Sequence, residues 1–377
     1  MKKGEVSGIP AFFAVAFVWF TTHFGGGFAS GRQLIQFFVR YGWYALFTPV
    51  IAILLNAIVF YYAWEYSVEH KKFQYKSWCD SFYRPHEKIF SNLYELVFNL
   101  TLVTATAVAF ATGGATMTKV LGTPYIVNTA IIAIIMLVLT IFGADVIRSV
   151  ASWVAIVIIL GLLIIYGTNF FVVLPNLKDV LSAPPAPYGF LPALWEAIKY
   201  TSLQAAVVGT YIAVADVLKN KSDIKKAAIT GFLLNAVIIT LASAVILSHY
   251  PTILTEAVPV IYVLNNGIGG SIGEMLVSLL IFLGVISTGV NLIYGGTKRI
   301  LSVYTKDGVK EDNRKKDIIA SSIYVLITWG IALFGLIPLI AKGYSYISYI
   351  ALPVVVIPII YKGITRKRNV QEVPSTN

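Results

Sequence analysis

The chain has 377 residues, of which 57% are hydrophobic and only 12% are charged, and its formal net charge is +11. A soluble domain carries about a quarter charged residues, so this composition indicates an integral membrane protein and excludes a soluble globular domain. The single cysteine, Cys79, excludes an intramolecular disulfide framework.

Ten apolar stretches of the chain are each long enough for one crossing, which takes about 20 residues. The first follows Lys2 and Lys3 and lacks a cleavage site, so it is predicted to be a retained span and not a signal peptide. The predicted spans cover roughly residues 9–38, 43–64, 91–118, 124–143, 149–173, 193–218, 226–248, 271–299, 317–337 and 344–361.

The charges predict the orientation of these spans. An even number of crossings puts both termini on one side, together with the loops after spans two, four, six and eight. Most of the 29 lysine and arginine residues fall on that side. By the positive-inside rule it is the cytoplasmic side of the cell membrane. The basic excess is therefore topological; it fits a lipid bilayer as partner and argues against nucleic acid.

Three connecting segments are long enough to interpret. The loop over residues 69–88 mixes aromatic and basic residues and is predicted to contain a short interfacial helix. The proline-rich segment 174–192 is predicted to be extended. The apolar segment 256–270 is too short to cross, so we expect a re-entrant or surface helix that caps the external side.

Spans one and six share an unusual feature, which suggests an internal repeat. The first contains HFGGGFASG, and the sixth contains polar residues and Gly209 near its centre. A helical glycine costs roughly 1 kcal/mol relative to alanine, so Gly25, Gly26 and Gly27 favour an unwound segment. Close packing through small residues is the alternative. Interrupted spans at matching positions predict two inverted five-span repeats, over 9–173 and 193–361, within one transmembrane domain, 1–377.

The run Gly25-Gly26-Gly27-Phe28 resembles the glycine-rich break in the first helix of the amino acid-polyamine-organocation (APC) superfamily. The longer stretch GFASGRQLIQFF resembles bacterial YkvI-type membrane proteins, although Gly31-Arg32-Gln33 stands where that branch is expected to read GQE. The resemblance implies an all-α LeuT fold: ten transmembrane helices in a 5+5 inverted repeat, with helices one and six broken where they meet at the midplane.

The two breaks predict the solute site. Free N–H groups near Phe28 and Ala29 would suit a carboxylate. Carbonyl groups around residues 202–208 would suit an ammonium group. Flanking aromatic rings would suit a solute with an apolar body. The predicted substrate-binding residues are Phe24, Gly25, Gly26, Gly27, Phe28, Ala29, Tyr200, Ser202, Gln204 and Gly209.

Arg32 is predicted to lie inside the membrane, where an arginine needs a functional partner or water. The resemblance implies a gate that closes the outer vestibule. Two other roles stay open: an anchor for an anionic solute, or a structural ion pair with Glu196 or Glu274.

The resemblance also implies a sodium site. In sodium-coupled LeuT-fold carriers, adjacent hydroxyl residues of span eight complete an ion site with carbonyls of span one. The corresponding groups here are the Ser287 and Thr288 hydroxyls and the carbonyls of Thr21, Phe24 and Gly284; a hard cation takes such oxygen ligands. The alternative is that both hydroxyls bond back to their own helix.

His23, just before the break, would permit proton coupling instead, or it is a neutral packing histidine. The predicted function is therefore a secondary transporter, a sodium-coupled symporter of a small organic solute such as an amino acid or a related carboxylate. The alternatives are a proton-coupled transporter, an exchanger or a germinant-type membrane receptor subunit. The sequence contains no enzyme motif, and we expect Na⁺ but no organic cofactor.

Overall fold

The computed structural model describes residues 10–24, 26–142, 144–183, 188–304 and 314–371, and every regular element in those ranges is helical. Apolar spans favour helices because a helix satisfies its backbone hydrogen bonds internally. The α-helices are α1 (Ala11–His23), α2 (Gly26–Ala29), α3 (Arg32–Phe37), α4 (Thr48–His70), α5 (Tyr75–Phe82), α6 (Glu87–Leu121), α7 (Tyr125–Phe142), α8 (Ala144–Ser182), α9 (Phe190–Ala205), α10 (Val208–Ala213), α11 (Lys221–Leu247), α12 (Pro259–Asn265), α13 (Gly270–Tyr304), α14 (Arg314–Ala332), α15 (Leu336–Pro338), α16 (Ser345–Ala351) and α17 (Ile357–Gln371). Short 3₁₀ helices cover Val39–Leu46, Ala215–Val217 and Thr252–Thr255, and π-helical turns cover Leu339–Tyr344 and Leu352–Val356.

Seven helical runs in the described ranges are long and apolar enough to cross a membrane. They correspond to predicted spans two, three, four, five, seven, eight and ten: Thr48–His70, Glu87–Leu121, Tyr125–Phe142, Ile156–Ser182, Lys221–Leu247, Gly270–Leu301 and Leu336–Thr365. The prediction of a helical membrane protein is thereby confirmed.

The other three predicted spans differ from the long helices. Span one consists of α1, α2 and α3, and span six consists of α9 and α10. Span nine is α14, whose first turn carries three cationic side chains and Asp317. The count of ten crossings stays a prediction.

The predicted extended loop over 174–192 is wrong in its first part, because α8 continues to Ser182 with Pro175 inside the helix. Val173 and Leu177 are both buried one helical turn apart. Packing of this apolar stripe outweighs the N–H that proline lacks. The predicted short helix in the 69–88 loop is confirmed as α5.

Helix α6 links the two ends of the molecule. Its 35 residues span about 50 Å at 1.5 Å per residue. Near its start, Glu95 accepts a hydrogen bond from Arg299 of α13 at 2.6 Å. Near its end, Lys119 pairs with Glu256, just before α12, at 3.1 Å. We call the end that carries α5 and Arg299 the α5 face, and the end that carries Thr252–Thr255 and α12 the α12 face.

The helices pack in two groups. In the first group α1, α4 and α9 pack with α11 or with each other, and in the second α6, α7, α13 and α14 pack together, while α8 contacts both groups. Within the first group, the Trp19 ring lies 4.9 Å from Phe60 and 6.5 Å from Trp64. The Trp64 indole N–H donates to the Tyr211 carbonyl at 3.1 Å, so α4 holds α1 and α10 together.

Candidate functional site

The first predicted span is interrupted twice. Helix α1 ends at His23, and its last described backbone bond runs from Phe24 N–H to the Phe20 carbonyl. After the single turn α2, Gly31 takes a left-handed conformation with φ 82° and precedes α3. The last four carbonyls of a helix lack an intrahelical donor. The carbonyls of the last turn of α1 are therefore the backbone groups to consider as acceptors at this break.

The predicted unwinding at Gly26 and Gly27 is wrong, because both residues belong to α2; Gly25 lies outside the described residues. A helical turn pairs backbone groups that an open chain inside the protein would leave without partners, so the breaks lie on either side of it. The helix that follows α2, α3, accordingly begins at Arg32 and not near Phe28 and Ala29. There Ser30 Oγ accepts the Arg32 N–H at 3.2 Å.

The interruption of span six is confirmed at Ala206 and Val207, between α9 and α10. The Ala206 N–H bonds to carbonyls of the last turn of α9. Gly209, predicted in the solute site, instead donates its N–H to Tyr94 OH at 2.9 Å. A Cβ there would lie 2.6 Å from the Tyr75 ring, so glycine permits this close contact.

A cavity of about 630 Å³ lies beside both breaks and between the two helix groups. This volume is within the usual range for small-molecule sites. Its polar wall is formed by hydroxyl and amide side chains of α1, α10 and α13, and its apolar wall by α6, α8 and α13. The polar residues are Thr21, Thr22, Thr210, Ser287, Thr288 and Asn291; the apolar ones include Phe98, Leu102, Ile158, Ile159 and Leu292.

The cavity opens toward the α5 face, where Arg299 and the exposed Asn291 lie at its edge. The Arg299 guanidinium bonds to Glu95 at 2.6 Å and lies 5.1 Å from the Tyr75 ring centre and 5.4 Å from that of Phe98. Both partners of this ion pair are about one-third exposed. Sequence reasoning missed this pair, because its two members are 204 residues apart in the chain.

All five residues predicted for the ion site line this cavity: Thr21, Phe24, Gly284, Ser287 and Thr288. Thr21 and Phe24 lie where α1 ends, whereas Gly284 is inside the uninterrupted helix α13. In the described part of the chain, neither the Ser287 nor the Thr288 hydroxyl bonds back to its own helix. The Ser287 carbonyl does accept a hydrogen bond, from Asn291 Nδ2 at 2.9 Å.

An aromatic layer closes the end of the cavity away from the α5 face. The Phe24 ring lies 4.8 Å from Phe20 and 4.3 Å from Phe28, and His23 lies 5.6 Å from Phe28 and from Tyr200. Phe28 and Tyr200 are fully buried. We call Phe20, His23, Phe24, Phe28 and Tyr200 the aromatic layer.

Both ring nitrogens of His23 have partners. Nδ1 lies 2.6 Å from Asn235 Oδ1, and Nε2 lies 2.5 Å from Tyr200 OH. Asn235 donates its amide nitrogen to the Gly231 carbonyl, which orients its oxygen toward His23. The neutral ring therefore donates from Nδ1 and accepts the Tyr200 proton at Nε2. This arrangement favours the packing role over the proton role.

The predicted substrate-binding residues are only partly brought together. Among those that the structure describes, Phe24 alone lines the cavity. Phe28 and Tyr200 lie in the aromatic layer, and the Ser202 hydroxyl turns back to the Ile198 carbonyl at 2.9 Å. Ala29 and Gln204 are buried outside the cavity lining.

Arg32 joins the first span to the α12 face. Its Nη1 donates to the carbonyls of Leu254 at 2.7 Å and Glu256 at 2.9 Å, and the side chain is buried. The alternative of an ion pair with Glu196 is wrong, because Glu196 pairs with Lys199 on its own helix at 2.7 Å. The described contacts of the Arg32 guanidinium are carbonyl oxygens, and none is with Glu274.

Further contacts close the α12 face. The Val260 N–H donates to the Ser30 carbonyl at 3.2 Å, and the side chains of α12 are largely buried. A Cβ on Gly31 would lie 3.1 Å from Ile246 and 3.4 Å from Pro259. The predicted short helix in segment 256–270 is confirmed as the seven-residue α12, and its place on the external side stays a prediction. Burial lowers the pKa of the nearby His249, so its ring is neutral against Tyr262.

No family model matches the chain. It is 24% identical over 300 residues to the uncharacterized membrane protein YkvI of Bacillus subtilis (strain 168), which covers 76% of this chain and 80% of that protein. Among solved structures, it resembles a Na⁺-coupled sialic acid symporter in a substrate-bound outward-open state, with TM-score 0.64, 14% identity, and 96% and 80% of the two chains covered. It also resembles a mutant manganese transporter of Eremococcus coleocola, with TM-score 0.58, 13% identity, and 94% and 81% covered.

These similarities assign the chain the fold of membrane transporters, and it is a multi-pass membrane protein. The proteins it resembles are a membrane protein and transporters, not enzymes, in agreement with the sequence. Across the described residues, no group of three or more His, Cys, Asp and Glu side chains is placed to hold a metal ion.

We expect Arg32→Ala to loosen the α12 face. Two hydrogen bonds from a charged donor contribute about 3–6 kcal/mol together. With Val260→Cys as a reporter of this buried contact, labelling of detergent-purified protein by a polar maleimide should accelerate at least about tenfold. The native Cys79 is buried, and burial raises the pKa of its thiol, so it reacts slowly.

Arg40→Ala is the matched control, because Arg40 lies against the Tyr41 and Tyr188 rings and not against residues 252–256. Equal labelling rates in the Arg32→Ala and Arg40→Ala variants would show that Arg32 does not hold this face closed.

Gly31→Ala should also open the α12 face. Alanine in a left-handed conformation costs roughly 1–2 kcal/mol, and here the new methyl group also presses on Ile246. Gly122 has a similar φ of 67°, and no atom lies near a Cβ built on it. Gly122→Ala therefore carries only the free-energy cost of the left-handed backbone. Both variants should melt earlier, but only Gly31→Ala should accelerate labelling at Val260→Cys. Faster labelling in both would refute a local role for Gly31.

Proposed function

We propose that the chain is a secondary transporter that couples Na⁺ to the movement of a small organic solute, such as an amino acid or a related carboxylate. The observation that carries this proposal is the common cavity: five residues predicted for an ion site, from α1 and α13, line one space of solute size. The fold shared with a Na⁺-coupled symporter supports it.

The architecture that we propose is ten crossings in a LeuT-type 5+5 inverted repeat, within the APC superfamily. Spans one and six are both interrupted, at the first helix of each half. Matching interrupted spans are typical of transporters with inverted repeats. The similar symporter covers 96% of the chain, which supports one transmembrane domain.

Sodium would bind between the end of α1 and the middle of α13. Backbone carbonyls in the last turn of α1 and the Ser287 and Thr288 hydroxyls would supply the hard oxygen ligands that such an ion prefers. These groups belong to different helix groups, so a bound ion would favour the arrangement that brings α1 and α13 together. Rocking of one group against the other would then give alternating access.

The solute would occupy the same cavity or its continuation through the aromatic layer. Hydroxyls, an amide and one guanidinium line the space, together with an apolar wall, and this mixture suits a small molecule with both a polar and an apolar part. The manganese transporter is similar in fold. The polar groups of this cavity, however, favour an organic solute over a divalent metal ion, which prefers carboxylate or imidazole ligands.

We assign the α5 face to the cytoplasm and the α12 face to the outside, with both termini cytoplasmic, from the distribution of lysine and arginine. The cavity then opens inward, while Arg32 acts as the gate residue on the closed outer side. The similar symporter was observed outward-open. The two arrangements are the alternate states that a carrier requires.

Sodium should stabilise the purified protein against heat, whereas potassium should not. At a concentration ten times the Kd, mass action adds about 1.4 kcal/mol. Ser287→Ala and Thr288→Ala should abolish this sodium-specific rise in Tm. Ser278→Ala is the matched control, because that hydroxyl on the same helix bonds to the Glu274 carbonyl.

Two outcomes would redirect the proposal. If sodium and potassium act alike, the ion site is wrong. If, in addition, stabilisation by a panel of amino acids and organic acids depends on pH, and His23→Gln removes that dependence, the transporter is proton-coupled. Solute binding without transport in reconstituted vesicles would favour the receptor alternative.

The orientation has its own test in intact cells. Thr252→Cys on the α12 face should react with a membrane-impermeant maleimide, whereas Gln74→Cys on the α5 face should react only after permeabilisation. Both positions are exposed, and the buried Cys79 serves as the unreactive background. The reverse pattern would overturn the assignment of the two faces.

A further inference from the structure

A second cavity lies on the outer surface of the helices, in a groove between α4 and α11. It has a volume of about 460 Å³, and its walls include Leu54, Ile58, Ile229 and Phe232. Leu54 and Ile229 are each 47% exposed on their outer side. In a chain that crosses the membrane, these side chains face lipid and not water.

The groove is polar at one end only. Helices α4 and α11 run antiparallel, so Tyr61 and Tyr62 near the end of α4 meet Lys225 near the start of α11. This end lies toward the α5 face. Lys225 is exposed, and its ammonium group has no hydrogen bond or ion pair in the described part of the structure.

The surrounding charges leave this end positive. Glu65 accepts a hydrogen bond from Tyr61 at 3.1 Å and lies 3.6 Å from Lys221. Asp223 accepts the Lys219 N–H at the start of α11. The Glu65–Lys221 pair is neutral overall, so Lys225, the charged side chain of the groove lining, leaves this end positive.

We propose that this groove binds an anionic phospholipid, with an acyl chain along Leu54, Ile58 and Ile229 and the headgroup at Lys225. The apolar walls exclude a soluble polar ligand from the depth of the groove. The cationic end selects a negatively charged headgroup over a zwitterionic one. Basic pockets between membrane helices are a known setting for such headgroups.

The proposal is tested by native mass spectrometry of the detergent-purified protein titrated with phosphatidylglycerol or phosphatidylcholine. Phosphatidylglycerol should bind saturably and more tightly. Lys225→Gln should weaken its binding about fivefold, the usual contribution of one lysine near an anionic surface. Lys226→Gln should not, although it removes the same charge at the next position; Lys226 lies over the Phe12 ring and outside the groove.

A second variant tests the apolar part. Ile58 is 36% exposed, so Ile58→Trp should fold normally while it fills the groove and reduces phosphatidylglycerol occupancy. Equal affinity for the two lipids, equal effects of the two lysine variants, or full binding to Ile58→Trp would each overturn the proposal. Competition by free glycerol 3-phosphate as effective as that by the lipid would show a small-anion site instead.

Discussion

The double interruption of the first span is the constraint on which the rest of the structure depends. Non-helical backbone at membrane depth persists only where it is buried in protein or lines a cavity. The chain uses each break for one of these purposes. Thr21 and Phe24 at the end of α1 line the cavity, while the Ser30–Gly31 break is buried against α12 and bonds to it. The left-handed Gly31 makes the second contact possible, because a side chain there would meet Ile246 and Pro259.

The His23 hydrogen bonds extend this constraint to the second interrupted span. His23 belongs to α1, Tyr200 to α9 and Asn235 to α11, so three helices of one group share one buried chain of hydrogen bonds. Leaving a buried donor or acceptor without its partner costs about 1–3 kcal/mol. A fully satisfied network of this kind rigidifies its surroundings. The helices beside the breaks in spans one and six therefore form one rigid unit. The opposite wall of the cavity comes from the other helix group.

Composition and periodicity predict much of this fold from the sequence. Apolar stretches locate the long helices, and the glycine run locates the first interruption, although the helical turn at Gly26 and Gly27 reflects local hydrogen bonding that glycine propensity alone does not reveal. The resemblance places Ser287 and Thr288 opposite the end of α1, and the structure brings these residues to one cavity. Its use as an ion site stays a prediction.

The partners of Arg32 and Arg299 could not be predicted from the sequence, for a physical reason. Arg32 bonds to backbone carbonyls more than 220 residues away, and a carbonyl carries no side-chain signature in a sequence. The Glu95–Arg299 pair consists of recognisable charges, but only the packing of α6 on α13 makes them neighbours. Gly209 was predicted to bind the solute because it lies near a break. In the structure, the side chains of Tyr75 and Tyr94 occupy the space next to it instead.

The breaks also explain how one span serves two helix groups. Helix α1 packs against α11, whereas the single turn α2 packs against α13 and α6 of the other group, and α3 returns to α9 and α11. A continuous helix would move as a rigid rod with whichever group held it more strongly. Because the backbone is broken on either side of α2, the α1 end and the α3 end of span one do not form one rigid rod. The cavity residues at the end of α1 and the residues that hold the α12 face, Ser30 to Arg32, lie within eleven positions of each other. A rearrangement of α2 would therefore change the cavity and the contacts of the α12 face together.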